Sequence, residues 1–537
     1  MKYILKYMII NNKLKEGEMF KKIKPYCNKY NITVLIFLIL GCFVRIFGIN
    51  AMPNGLNCDE ASIGYEAYSV LNYGIDRNGD SYPVFLEAWG SGQNALYMYI
   101  IMPFIKIFGL NKWSVRFPMA LIGCISLIVM YKLLSKTKNK RIALIGLMFL
   151  TICPWHIMKS RYGLESNVFP DLTLLAVYVF ICGIENKKSY LLYISSIIFG
   201  LCSYAYGTSY FFLPVFLIPL LFILIRKKKI TIKQSIISLL IVFIVSFPII
   251  LMIFINTFDL PKIKIGIFTI PRLEENRYEQ LTVLSSGNIL TTFISNFIES
   301  AKVLILQNDG YCANALPDFG IIYQISLPIA LMGLIVSFSK KENIDLVFKM
   351  WFISAFLLMF ICDPNINRMN IMYFPLIYYT IIGIDYLSRE VLKNDVIVAL
   401  IYMCVFELFI VAYCFTDFTN TFTFEDNIEN VIKYMNNLSA DTIYFEYAIK
   451  EPYIYVLFYN QENTEEFVKT VKYKDNIKTF NSAESFSNYE FKLPEKLDES
   501  KNNAYIMTEK TSEKYEIDET KWNKTYIDRF VVIEKIR

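Results

Sequence analysis

The sequence predicts a polytopic α-helical membrane protein carrying a small C-terminal extracytoplasmic α+β domain. Three observations carry that prediction. The 537-residue chain is 55% hydrophobic and 16% aromatic, with a mean hydropathy of +0.39, above the roughly 45–50% apolar share of a soluble domain. Its apolar residues gather into runs near the ~20-residue length that crosses a bilayer. Its basic residues gather into short clusters between those runs, as cytoplasmic loops do. The net charge of +6 is mild and dispersed, which reports membrane orientation and excludes a nucleic-acid surface.

Residues 1–30 hold Lys13, Lys15, Lys21, Lys22 and Lys24 and no signal-peptide cleavage pattern; they read as a cytoplasmic tail. Residues 31–416 read as the transmembrane domain, beginning with a span at Thr33–Ile49. The next apolar stretch, Ala95–Phe108, is short and carries Pro103 and Lys106. Charge parity assigns it. If it crossed, Lys132–Arg141, Lys187-Lys188, Arg226–Lys229 and Lys340-Lys341 would all lie outside. As a juxtamembrane helix in the first external loop it leaves every cluster inside and Asp59-Glu60 outside. The later spans fall at Val115–Tyr131, Ile142–Met158, Leu172–Ile184, Leu191–Tyr206, Tyr210–Ile225, Ile236–Ile255, Ile321–Phe338, Leu346–Ile361, Ile371–Tyr386 and Val396–Cys414, about eleven in all. The external segments are then Asn50–Asn94, Lys159–Pro170, Asn256–Gly320 and Cys362–Asn370. Residues 417–537 form the outer domain, with a helix-like run Asn427–Asn437 and strand-like runs Thr442–Tyr447, Phe467–Tyr473, Ala504–Thr508 and Tyr526–Glu534.

Eleven cysteines are scattered, with no C-x-x-C pattern and none after Cys414. A disulfide-stapled outer domain is excluded. The single histidine, His156, excludes a multi-histidine metal site.

The acid pair Asp59-Glu60 is the leading candidate for chemistry. An ion costs several kcal/mol in hydrocarbon, so acids placed where the chain leaves the membrane are cheap to keep and free to react. Asp59 could instead cap a helix over Glu60–Leu71, which leaves the second acid and the Trp89-Gly90-Ser91-Gly92-Gln93 turn without a reason. Arg161 offers a planar fork suited to phosphate; snorkelling, or a pair with Glu165 at i,i+4, is the alternative. Arg368, in the polar turn Asp363–Asn370, is a second outer arginine against the positive-inside trend. His156 has a substrate contact and a structural role open to it. Asp309 sits in Asn308-Asp309-Gly310, ordinary turn chemistry. A transporter would put ionisable groups at mid-membrane, where only Glu407 stands. A non-catalytic assembly protein would leave the acids and both outer arginines idle.

In this order the segments resemble the bacterial protein-mannosyltransferase-like family of phospholipid-carrier-dependent glycosyltransferases, of the C-type glycosyltransferase superfold. The resemblance is carried by Asp59-Glu60-Ala61 with Gly64-Tyr65, by Gly90 to Tyr97 running into Pro103-Phe104 and Phe108-Gly109, and by Val115-Arg116-Phe117-Pro118. Pro154-Trp155-His156 with Ser160-Arg161 and Glu165, Asn308-Asp309-Gly310 and Asn367-Arg368 extend it. It implies a multi-pass protein of the bacterial plasma membrane with its site outside. The partners implied are a polyprenyl-phosphate-linked sugar donor, membrane lipid, and an acceptor that is protein, wall polymer or another lipid. Asp59 would be the catalytic carboxylate with Glu60 beside it, and transfer would invert the anomeric centre. Arg161 and Arg368 would hold the leaving phosphate, Glu165 would stand where one branch of the superfold has a further acid, and Trp89, Gln93, Tyr65 and Tyr97 would shape the sugar pocket. No metal ligand set is legible. The acid pair could hold a divalent cation with waters and is equally usable without one.

Overall fold

The computed structural model describes residues 28–90, 92–274, 288–416, 424–474 and 482–536. Nearly all of the expected cytoplasmic tail, Ser91 of the glycine turn and the start of the expected outer domain lie outside them. The first helix, α1 (Lys29–Ile46), is capped by the Asn28 side chain, which accepts from Asn31 N–H at 2.8 Å. After an irregular turn, α2 (Cys58–Tyr73) follows. Its cap is Asn57, with Glu60 closing a capping box, and it ends on Gly74 at φ +72°, a left-handed position that favours glycine. Asp59 is therefore not the cap. A short β1–β2 pairing (Phe85–Leu86 with Gln93–Asn94) leads into α3 (Leu96–Phe108). This is the helix expected along the membrane surface, packed between α2 and α4 (Lys112–Thr137).

The remaining helices are α5 (Lys140–Ile152), α6 (Pro154–Lys159), α7 (Glu165–Glu185), α8 (Ser189–Leu201), α9 (Ser209–Arg226) and α10 (Ile232–Thr257). After the β3–β4 hairpin (Ile263–Ile265 with Phe268–Ile270) come α11 (Ile289–Leu306), α12 (Ser326–Phe338), α13 (Asn343–Ile361), α14 (Tyr373–Tyr386) and α15 (Asp395–Phe415). Nine helices among the described residues are long and apolar enough to cross a membrane. Two departures from the sequence reading stand out. The expected span Ile142–Met158 is broken at Cys153, because Pro154 has no N–H with which to continue α5 and starts α6 instead. And α11 lies inside the segment expected to hold only an external connection. Its Glu299–Lys302 pair and Asn296 interrupt the apolar run. Phe293 and Phe297 stack on Phe360, and the Ser300 hydroxyl donates to Met359 O.

The chain ends in a seven-stranded mixed sheet of order β10-β11-β9-β5-β8-β7-β6. Its strands are β5 (Ile443–Phe445), β6 (Lys472–Tyr473), β7 (Ala483–Phe486), β8 (Tyr489–Glu490), β9 (Ala504–Thr508), β10 (Trp522–Ile527) and β11 (Phe530–Lys535). Only β5 runs parallel to its neighbours, β9 and β8. Helices α16 (Ile428–Met435), α17 (Pro452–Asn460) and α18 (Thr464–Thr470) complete the α+β unit, with one turn, α19 (Glu509–Ser512), after β9. The run Phe467–Tyr473, expected as a strand, is mostly helix: Asn463 caps α18 by accepting from Glu466 N–H at 3.1 Å, and two acids occupy its first turn.

This unit sits on α2. Gly64 makes room for it, since a Cβ there would lie 2.7 Å from the Phe458 ring. The Tyr455 hydroxyl donates to Leu56 O at 3.2 Å, and Glu425 N–H donates to the same carbonyl at 2.8 Å.

Candidate active site

Four loop segments, far apart in sequence, converge on one rim. Glu60 accepts from Gly163 N–H at 2.8 Å, joining 50–94 to 159–170. Asn370 Nδ2 donates to Ser166 O at 2.7 Å, joining 362–370 to that second segment. Asp309 Oδ2 accepts from Ile366 N–H at 2.9 Å and from Asn314 Nδ2 at 2.7 Å, joining 256–320 to 362–370. Val84 N–H donates to Thr269 O at 3.0 Å, joining 256–320 back to 50–94. Asp309 thus organises two loops as well as its own turn.

Asp59 and Glu60 do not act as a pair. Successive residues on a helix point about 100° apart, and here one carboxylate is half-buried while the other is enclosed by protein. Glu60 is fully buried. Arg116 Nε and Nη2 donate to its two oxygens, each at 2.8 Å, and the N–H groups of Gly163 and Asn57 complete its shell. Arg116 also donates to the carbonyls of Ile49, Pro53 and Gly55, so the pair moulds the turn by which the chain leaves α1. Asp59 is half-buried and its Oδ1 accepts from Trp89 Nε1 at 3.0 Å. It lies in the first turn of α2, where the helix dipole favours a negative charge. Trp89 holds φ +61°, a conformation that costs a non-glycine residue on the order of 1–3 kcal/mol and is typical of functional sites. Gly92 at φ +93° is obligatory, because a Cβ would meet the Phe85 ring at 2.2 Å.

Several residues singled out in the sequence are placed elsewhere by the fold. Arg161 is buried and donates to Val44 O at 2.7 Å and Met52 O at 3.1 Å, fastening the same exit turn. It does not share a helix with Glu165, since α6 ends at Lys159 and α7 starts at Glu165, where the acid is buried in the first turn. His156 is fully buried. Its Nδ1 accepts from Arg45 Nη2 at 2.7 Å, and its Nε2 lies 3.2 Å from Asp171, which also pairs with Lys159. A histidine enclosed in such a network is packing, not a substrate contact. The Tyr65 hydroxyl donates to Glu462 O at 2.9 Å and Tyr97 to Val115 O at 2.6 Å, so both are structural. Gln93 is buried in β2 and its Oε1 has no hydrogen-bond partner among the described residues. Arg368 is the loosest of the cations: half-buried, with Nη1 3.4 Å from both the Asp363 carboxylate and its carbonyl. Glu407 lies exposed on α15. Among the described residues no three His, Cys, Asp or Glu side chains are grouped to hold a metal ion.

The structure adds residues the sequence reading passed over. Arg77 and Glu66 form a buried ion pair at 3.1 Å directly behind Trp89. Burial pushes the Glu66 carboxyl up. Burial, with Asp80 and Glu274 nearby, pushes the Glu87 carboxyl up to about 7. Tyr453, from the sheet-bearing unit, meets the Trp89 ring edge-on at 6.2 Å. A reader of the sequence would have found Arg77 only by asking what holds a tryptophan at positive φ.

Residues 94–253 match the family model described as dolichyl-phosphate-mannose-protein mannosyltransferase. An uncharacterized protein from Aquifex aeolicus (strain VF5) is 28% identical over 125 residues, 23% of this chain and 25% of that protein; the chain thus spans a quarter of the length of that relative. Among solved structures, ArnT from Cupriavidus metallidurans bound to undecaprenyl phosphate superposes with a TM-score of 0.59 at 10% identity, over 94% of this chain and 98% of that one. The Archaeoglobus fulgidus oligosaccharyltransferase in complex with Zn and sulfate superposes with a TM-score of 0.52 at 12% identity, over 79% of this chain and 61% of that one. AglB from the same organism, in complex with an inhibitory peptide and a dolichol-phosphate, gives 0.50 at 13% identity over 82% and 64%. The resemblance read from the sequence is borne out: residues 94–253 match that family's model, and the chain shares the fold of ArnT and of the archaeal oligosaccharyltransferase.

Proposed function

We propose that the protein transfers a sugar from a polyprenyl-phosphate carrier to an acceptor hydroxyl at the outer face of a bacterial plasma membrane, with Asp59 as the base. One observation carries the reading: a half-exposed carboxylate, oriented by an indole N–H, stands on the rim where four loop segments meet. The distribution of charge supports an outward orientation of the rim. Arg116 lies near its end of α4, and Lys138, just past the other end, is some 22 residues or about 33 Å away. Lys138 and Arg141 there meet Glu342, Asp345, Asp385 and Asp395, among the basic clusters that belong to the cytoplasm. ArnT and AglB, which share the fold, were solved with undecaprenyl phosphate and dolichol-phosphate, which supports a lipid-phosphate donor here.

In the reaction, Asp59 takes the proton of the acceptor hydroxyl as its oxygen bonds to the anomeric carbon. The bond from that carbon to the phosphate oxygen breaks, and polyprenyl phosphate leaves with the electron pair. A single displacement of this kind inverts the anomeric centre. Arg368, with its donors only loosely held, is the cation best free to meet the leaving phosphate. Arg161 and Glu60 act through the exit turn and not on substrate. The apolar helices beside the rim take the lipid tail.

The test is transfer of radiolabelled sugar from defined polyprenyl-phosphate monosaccharides by the protein in vesicles. Asp59→Asn is expected to bind donor and to lose about 10²–10⁴-fold in rate, the usual weight of general-base catalysis. Transfer by Asp59→Asn at the wild-type rate would sink the assignment. Uptake of a solute without transfer would make the protein a transporter.

A further inference from the structure

Arg77 turns two of its side-chain nitrogens to α2 and its flat face to a tryptophan, while its buried Nη2 has no hydrogen-bond partner among the described residues. Nε pairs with Glu66 Oε1 at 3.1 Å, Nη1 donates to Ser62 Oγ at 3.0 Å, and the backbone N–H donates to Glu66 Oε2 at 3.0 Å. The guanidinium carbon lies 4.7 Å from the Trp89 ring centroid and 5.9 Å from that of Tyr453. Ser62 and Glu66 follow Asp59 on α2 by three and seven residues, which puts all three on one helix face. The result is a closed circuit. The face of α2 that carries Asp59 also grips Arg77, Arg77 presses on Trp89, and Trp89 Nε1 returns to Asp59. Asp76, Glu87, Tyr453 and Tyr473 are further titratable groups around the guanidinium.

We propose that Arg77, gripped by Glu66 and Ser62, is a positioning residue for the transfer: it holds the Trp89 indole so that its N–H fixes one oxygen of Asp59 and leaves the other for the acceptor hydroxyl. This rests on the reading of Asp59 as the base. The guanidinium must be planar to lie on an indole, which a lysine ammonium cannot reproduce. Without that plate, an indole at positive φ has room to rotate, and a misplacement of about 1 Å near a reacting group costs up to ~10²-fold.

Three variants of the full chain in vesicles test this, with a polyprenyl-phosphate monosaccharide as donor. Arg77→Lys keeps the charge beside Glu66 and loses the plate. Glu66→Gln/Arg77→Met removes both charges, so that neither is stranded. Trp89→Phe keeps a ring under Arg77 and loses only the N–H. Each is expected to hold the donor KM within about twofold and to lower kcat about 10–100-fold. In an Asp59→Asn background none should lower the rate further. A folded variant with wild-type kcat overturns the proposal. So does a structure of Arg77→Lys in which Trp89 Nε1 still meets Asp59 Oδ1. That contact is read without activity. If the wild-type protein transfers no sugar, the reading of Asp59 falls, and the Trp89–Asp59 separation still decides what Arg77 does.

Discussion

At Glu60 a carboxylate has been taken out of water and given four donors, so removing its charge strands a buried guanidinium. Breaking one side of a buried pair costs about 3–5 kcal/mol, and Glu60→Gln should lower thermal stability accordingly. Asp59→Asn, which still accepts from Trp89, should stay within about 0.5 kcal/mol of wild type. A thermal melt of the two variants in one detergent makes the comparison. The adjacency of the acids was legible in the sequence, and their opposite tasks were not: the reading treated neighbours in sequence as neighbours in space, whereas helix geometry separates them. Arg161 failed for a related reason. An arginine beside a lipid phosphate and an arginine fastening backbone carbonyls have the same sequence signature. Glu87 gives a pH prediction. Its pKa rises from 4.5 unfolded to about 7 folded, so the folded state binds the proton more tightly. The contribution of Glu87 to stability is then fully present below about pH 4.5 and is lost as pH rises through 7. The melting temperature should drop between pH 5 and pH 7.5, and Glu87→Gln should flatten that drop.

Among the elements, the long apolar runs were legible because hydropathy alone decides them, and α3 was placed along the membrane surface by charge parity. The helix α11 was missed because an ion pair and an asparagine interrupt its pattern, and α17 because it is buried nearly all round and so shows no polar stripe. Yet α17 connects the sheet to α2. Gly64 is the test of that contact: Gly64→Leu overfills a space already occupied by Phe458 and Val115, at a cost of about 1–3 kcal/mol. Limited proteolysis should then cut the 424–536 unit faster, while the helices of the membrane unit stay intact.

Over the whole molecule, the parity argument makes a two-sided prediction. A membrane-impermeant maleimide added to intact cells should label Arg368→Cys and should reach Lys340→Cys only after permeabilisation. Cys58 cannot serve as the probe, since it is buried. Labelling of both positions from one side would undo the topology, and with it the site. The convergence of four loops could be anticipated from that parity, whereas the hydrogen bonds that tie them could not, because each joins residues with no pattern relating them along the chain.

The link from Glu60 to Arg116 and Gly163 also orders the protein's birth. The acid leaves the insertion machinery before either companion has been made, and until then the turn after α1 has only its own backbone bonds and the Asn57 capping box to set its shape. The candidate site therefore cannot close segment by segment. It must wait for the stretch after α6 to be threaded, so an insertion fault there would spoil a loop synthesised some hundred residues earlier.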